Sequence, residues 1–262
     1  MKKVMGIVAL LVLVLTITPA AADFYVIAGG GRLGTQISSV PYTISSPGLY
    51  YLAKNLTHTD IHSTATITVS ASDVTLDLMG FCLTGPGKDV LGNATGVKVS
   101  GSNVEIRNGS IQDFGKWGIS VEGGNGTRLV GLRVRKTGQD GIGLMGDTHL
   151  VMDCSVIDTG GHGIWCLAIA SLIKGNHVSY NTGDGINVSA GCTVEGNLTA
   201  ANTGGIYVLD GCTVTLNTAY SNTGTGIVTG NDCTITNNTT DGLTNGTNCT
   251  LAYNTVTSIP EP

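Results

Sequence analysis

Residues 181–188 read Asn181-Thr182-Gly183-Asp184-Gly185-Ile186-Asn187-Val188, and residues 202–208 read Asn202-Thr203-Gly204-Gly205-Ile206-Tyr207-Val208. The pattern returns as Asn222-Thr223-Gly224-Thr225-Gly226-Ile227-Val228. Each copy opens on Asn, passes through small turn residues, and then starts a short alternating run with Gly and a β-branched residue. The Gly anchor also stands at Gly96-Val97, Gly118-Ile119, Gly141-Ile142 and Gly163-Ile164, so that the seven anchors are separated by 22, 23, 22, 22, 20 and 21 residues. A fixed period of this size marks a stacked repeat. Leucine-rich repeats overlap the period, but their leucine pattern is absent, and ankyrin and tetratricopeptide units are longer and helical. The units carry period-2 runs such as Val97-Lys98-Val99 and Ile119-Ser120-Val121, and no stretch has a helical period.

A unit of about 22 residues fits one coil of three short strands and three turns, with successive coils about 4.8 Å apart. Equivalent residues then form columns. Asn181, Asn202 and Asn222 make one, and Asn176, Asn197 and Asn217 a second at intervals of 21 and 20. Stacked Asn side chains can bond amide to amide and tolerate a left-handed turn. Cys192, Cys212 and Cys233 form a third column, with Cys249 in a similar context. Stacked buried thiols and disulfides between adjacent rungs are both consistent with it. The fold class expected is therefore all-β, a parallel β-helix with an N-terminal cap.

The ends divide the chain. Lys2 and Lys3, the apolar run Val4 to Thr18, and Ala20-Ala21-Ala22 read as a signal peptide over residues 1–22. Residues 23–66 lack the anchor and are expected to be the N-terminal cap, residues 67–256 the repeats, and residues 257–262 a C-terminal tail. The chain is then secreted, extracellular or periplasmic, with no membrane span after signal cleavage. Charged residues make up 12% of the chain and the net charge is -5, which gives no basis for a nucleic-acid partner. Sequons at Asn55, Asn93 and Asn125 permit glycosylation in a eukaryotic secretory route.

On these residues the chain resembles the pectin-lyase-like superfamily of right-handed parallel β-helix repeat proteins. Ile67-Thr68-Val69 through Val74-Thr75-Leu76-Asp77-Leu78-Met79-Gly80 is similar to an opening coil of its bacterial members, and the Gly anchors and Asn columns are similar to their repeats. The resemblance spans about residues 65–256. It implies a right-handed solenoid and a range of roles: polysaccharide lyase, galacturonan hydrolase, uronan epimerase, tailspike, adhesin or copper-site maturation protein. Fold alone does not choose among these.

The anchor register places candidate chemistry on one face. Before the anchor Gly stand Thr95, Trp117, Asp140, His162, Asp184, Gly204 and Thr225, and two residues after it stand Lys98, Ser120, Gly143, Trp165, Asn187, Tyr207 and Val228. Both tryptophans fall on this face, beside Asp140, His162 and Asp184 on three consecutive coils. A His between carboxylates suits acid or base catalysis, so these three are the candidate catalytic residues. Trp117, Trp165, Asn187 and Tyr207 are the candidate substrate-binding residues, since indole and phenol rings stack on sugar faces. All three candidate catalytic side chains are suitable metal ligands, but their spacing is no metal signature, and no metal or cofactor is assigned. Galacturonan-hydrolysing members of the superfamily carry an Asp-Asp pair and Gly-His-Gly one coil later. Here Gln139-Asp140-Gly141 and Gly161-His162-Gly163 are similar, with Gly141 in place of the second Asp, and Asn187-Val188-Ser189 in place of an Arg-x-Lys element. Inverting hydrolysis requires two carboxyl groups, so that set is incomplete. Lyase chemistry would draw on Lys98, Arg133, Arg135 or Lys136, which lie in no recognisable motif. The expected partner is a polysaccharide or glycan surface, which the chain binds, with lyase or hydrolase chemistry if it is an enzyme. The alternative is a non-catalytic adhesive or structural solenoid.

Overall fold

The anchor isoleucines, with Val97, point into one continuous core. Ile67, Val97, Ile119, Ile142, Ile164, Ile186, Ile206 and Ile227 are all buried, each such side chain contributing about 1.5–3 kcal/mol. The structure, a computed structural model, describes residues 34–61, 65–90 and 94–257. It is an all-β parallel solenoid; among the described residues there is no helix, and so none long enough to cross a membrane. The signal-peptide segment 1–22 and residues 258–262 of the tail lie outside the described residues.

Every pairing between strands is parallel and joins one coil to the next. The ten-stranded anchor sheet takes one strand per coil, among them Thr95–Val99, Ile119–Val121, Ile142–Leu144, Ile164–Cys166, Asp184–Val188, Gly204–Val208 and Ile227–Thr229. Its register keeps anchor opposite anchor: Val97, Ile119, Ile142, Ile164, Ile186, Ile206 and Ile227 form one ladder. The other nineteen strands form a bent sheet covering the two remaining sides of each coil. Part of the expected 23–66 cap joins this scheme. Tyr42–Ile44 pairs with Ala65–Val69, placing Tyr42 opposite Ile67, and Thr35–Ile37 pairs with Gly48–Leu52. Tyr42-Thr43-Ile44 supplies the needed alternation without a Gly anchor, so the ladders begin before Ile67.

The Asn columns are built as buried amide ladders. Asn176 Nδ2 donates to Asn197 Oδ1 at 2.9 Å and to the Val151 carbonyl at 3.0 Å, while the Asn176 backbone N–H donates to the same Asn197 Oδ1. The bond to the next rung repeats from Asn197 to Asn217, Asn217 to Asn238 and Asn238 to Asn254. The second ladder runs Asn181 to Asn202 to Asn222, and the Asn222 N–H ends it on Asp241. The cysteine column does similar work: the Cys192 N–H donates to Cys212 Sγ, and the Cys192, Cys212, Cys233 and Cys249 thiols donate to carbonyls of the preceding coil. All seven cysteines are free thiols. Upward, the column continues in other residue types: Ser171 Oγ accepts from the His149 N–H, and His149 Nδ1 from the Thr127 N–H.

Candidate functional site

The corner where each coil enters its anchor strand carries the column Trp117, Asp140, His162, Asp184. Backbone bonds from Gly118 to Asp140, Gly141 to His162 and Gly163 to Asp184 set these residues on consecutive rungs. Their side chains are not independent. Asp140 Oδ1 accepts the His162 backbone N–H at 2.7 Å, and His162 Nδ1 accepts the Asp184 backbone N–H at 3.0 Å. Asp184 Oδ2 accepts from Asn187 Nδ2 at 2.8 Å and lies 3.5 Å from His162 Nδ1. Asp140 and His162 therefore each seat on an amide of the coil that follows, while Asp184 is held by Asn187 of its own coil.

That seating needs glycine. A Cβ on Gly161 would meet Asp140 Oδ1 at 2.3 Å, one on Gly183 would meet His162 Nδ1 at 2.8 Å, and one on Gly204 would meet Asp184 Oδ1 at 2.2 Å. These glycines stand 21, 21 and 20 residues after Asp140, His162 and Asp184. The sequence places these glycines one coil period after the side chains but gives no sign of their role as seats, which lies in contacts between coils.

The hydrogen bonds set the chemistry. Nδ1 of His162 accepts an N–H, so the neutral ring carries its proton on Nε2, which leaves it a donor rather than a base toward the outside. Burial is the largest influence on Asp140 and lifts its carboxyl above the usual range. The His162 backbone N–H, the His162 ring when it is protonated and the Trp117 side chain oppose that rise. Trp117 is engaged twice, by Asp140 and by Lys116, whose ammonium stands 4.5 Å from its ring centroid.

The second column lies beside the first. Trp165 pairs with Gly143 on one side and Asn187 on the other, and Asn187 pairs with Tyr207. Trp165 Cε3 lies 4.0 Å from the position a Gly143 Cβ would take, an ordinary van der Waals distance, so an alanine there would fit beside the indole. The outward columns are not uniformly open. Thr95 and Ser120 are 3% and 2% exposed. Ser120 sits under the ion pair of Lys98 and Glu122, with its Oγ 3.4 Å from Glu122 Oε1. Further down the face, Asp184 and the 38%-exposed Tyr207 line a cavity of about 240 Å³ together with Thr203, Gly204, Gly205, Ile206, Gly224, Thr225 and Val228. Gly204 and Gly224 contribute no side chain there, and the space opens where the column's larger residues stop. Among the described residues no three His, Cys, Asp or Glu side chains gather as a metal-binding group.

The sequence pattern of the right handed beta helix region matches residues 54–218. No curated protein matches the chain. Among solved structures, the A-module of a mannuronan C-5 epimerase from Azotobacter vinelandii is similar, with a TM-score of 0.59 at 12% identity over 79% of this chain and 68% of that one. A pectate lyase aligns with a TM-score of 0.43 and 15% identity over 82% and 70% of the two chains. The Dettilon tailspike protein gives 0.44 and 11% over 81% and 60%.

Proposed function

We propose, for a chain that belongs to the right-handed β-helix family, that the anchor-sheet face of the solenoid binds a polysaccharide. The observation that carries this reading is the cavity shared by Asp184 and Tyr207, contiguous with Trp165 and Asn187 along one ladder. A ladder of rungs offers a linear polymer a repeating surface. The Tyr207 and Trp165 rings supply apolar platforms. Asp184 and Asn187, already bonded to each other, offer preset acceptors and donors for hydroxyl groups. One solved structure similar in fold is named as an epimerase of mannuronan; at 12% identity that likeness supports the scaffold, and the reading for this chain rests on its own face.

Binding without cleavage is the form this geometry supports best. His162 Nδ1 and one oxygen of Asp140 are committed to backbone amides, and inverting hydrolysis needs two carboxyl groups free to act across the bond. One observation favours a second reading: the burial-lifted carboxyl of Asp140 is suited to hold a proton for a leaving group. Export of the mature chain, with residues 1–22 as its signal, belongs to the same proposal.

The test is a panel of immobilised glycans followed by product analysis on every glycan that binds. Retention without released oligosaccharide is expected. Turnover abolished by Asp140→Asn would establish the second reading instead. Absence of binding across neutral and acidic glycans would overturn both and favour a purely structural solenoid.

A further inference from the structure

Four arginines lie among the described residues, and they divide into two kinds. Arg107 pairs with Asp77 at 2.9 Å and Glu105 at 3.1 Å, and Arg128 pairs with Glu105 at 3.0 Å. Arg133 and Arg135 form no ion pair with the described residues. They stand on the strand Arg128–Thr137, where Leu132 and Val134 point into the core and the two arginines point out, exposed. Alternation puts them on the same side about 6.6 Å apart along the strand.

Their forks are held in place by neutral oxygens. Arg133 Nε donates to Ser110 Oγ at 3.0 Å; Arg135 Nε and Nη2 both donate to Gln112 Oε1, at 2.9 and 2.6 Å. Both acceptors sit on the preceding coil. The following coil places Ser155 and Ile157 opposite the arginines, and His177 follows Ser155. The adjacent Lys136 is exposed, and the nearby Asp158 is already bound to Lys88 at 2.6 Å. Both arginines are exposed, and Nη1 and Nη2 of Arg133 and Nη1 of Arg135 have no protein acceptor among the described residues. In a chain of net charge -5 this is a concentrated positive patch, on a different side of the coil from the anchor sheet.

We propose that Arg133 and Arg135 form a second binding site, for the oxyanion groups of a carboxylated or sulfated polysaccharide. A guanidinium presents a planar pair of donors that matches a carboxylate or sulfate. Pinning through Nε lowers the ordering cost of each long side chain. The flanking Ser and Gln side chains can meet sugar hydroxyls. A nucleic acid is disfavoured because the patch is confined to one coil: no Lys or Arg occurs after Lys174, so no basic track continues along the remaining coils. This site stands apart from the anchor-sheet groove and survives or fails independently of it.

The experiment compares binding of the full chain to dextran sulfate, polygalacturonate and neutral dextran, for the wild type and for Arg133→Gln/Arg135→Gln. At least one polyanion is expected to bind at least about tenfold more tightly than dextran, and which one identifies the group. The double variant is expected to lose that preference, with the melting temperature unchanged and Arg133→Lys/Arg135→Lys restoring part of it. Should the double variant fold poorly, each single Gln variant is expected to lose part of the preference. Equal binding to dextran would overturn the proposal, as would a preference that persists in the Gln variants. Removal of the preference by Tyr207→Ala would assign the anionic groups to the groove. Equal affinity for single-stranded DNA would overturn the glycan assignment.

Discussion

His162 shows how a single lone pair redirects a mechanism. Its place between Asp140 and Asp184 was legible from the 22-residue period alone. Its tautomer was not, because Nδ1 is fixed by the backbone N–H of Asp184 on the next coil. The seats at Gly161, Gly183 and Gly204 were hidden for the same reason: they belong to contacts between coils, while the anchors announce themselves within each coil. Gly204→Ala is accordingly expected to displace the Asp184 carboxylate and narrow the cavity. Glycan affinity should fall by about tenfold with little change in melting temperature, and calorimetric titration beside a thermal melt checks both. His149 is a second case. It is buried, with Nδ1 accepting the Thr127 N–H and Nε2 3.1 Å from the Met145 carbonyl. Burial is the main cause that lowers its pKa, against the opposing Met145 bond and the charge of Asp147. The unfolded chain therefore binds the proton more readily than the folded one. Its contribution to stability is complete above about pH 6.5 and falls as the pH drops below that value. Denaturation midpoints between pH 7.5 and 5.5 should slope downward, and His149→Gln should flatten the slope whatever it does to the midpoint at pH 7.5. An unchanged slope would remove His149 from the account.

At the scale of the element, the columns hold the turns. Identical residues repeating at the coil period made the two Asn columns and the cysteine column readable. The continuation through Ser171 and His149 was not, because the residue type changes while the role of accepting an N–H from the preceding coil persists. The column also began as an open choice between thiols and disulfides, and the structure carries it as thiols bonded to carbonyls. Asn197→Ala removes bonds to Ile173, Asn217 and Asn176 and leaves buried donors of Asn176 unmet. It is expected to destabilise the fold by about 2–4 kcal/mol, measured by chemical denaturation, with Asn254→Ala at the last rung costing less. Burial pushes the Cys154 thiol up to about 11 and the Cys212 thiol up to about 12. Since the thiolate is the nucleophile, both should resist alkylation at neutral pH in the native protein and react once it is unfolded. Mass spectrometry of labelled peptides reads this directly.

Across the solenoid, the repeat made the coils legible from Ile67 onward, but the earliest described coil was hidden because Tyr42–Ile44 has no Gly anchor to betray it. The far end differs from the middle. Leu251, Tyr253 and Val256 are exposed, whereas the anchors from Ile142 to Ile206 are fully covered. Stacked repeats draw stability from their neighbours. Hydrogen exchange should therefore be fastest in residues 243–256 and slowest around residues 142–208. The groove spans the end of this covered stretch and the coil after it. The central claim is that the Trp165–Asn187–Tyr207 ladder and its cavity bind polysaccharide. Its most direct test is calorimetric titration of the best-retained oligosaccharide into wild type and Tyr207→Ala. The account predicts at least about tenfold weaker binding in the variant at an unchanged melting temperature; equal affinity in the two proteins would contradict it.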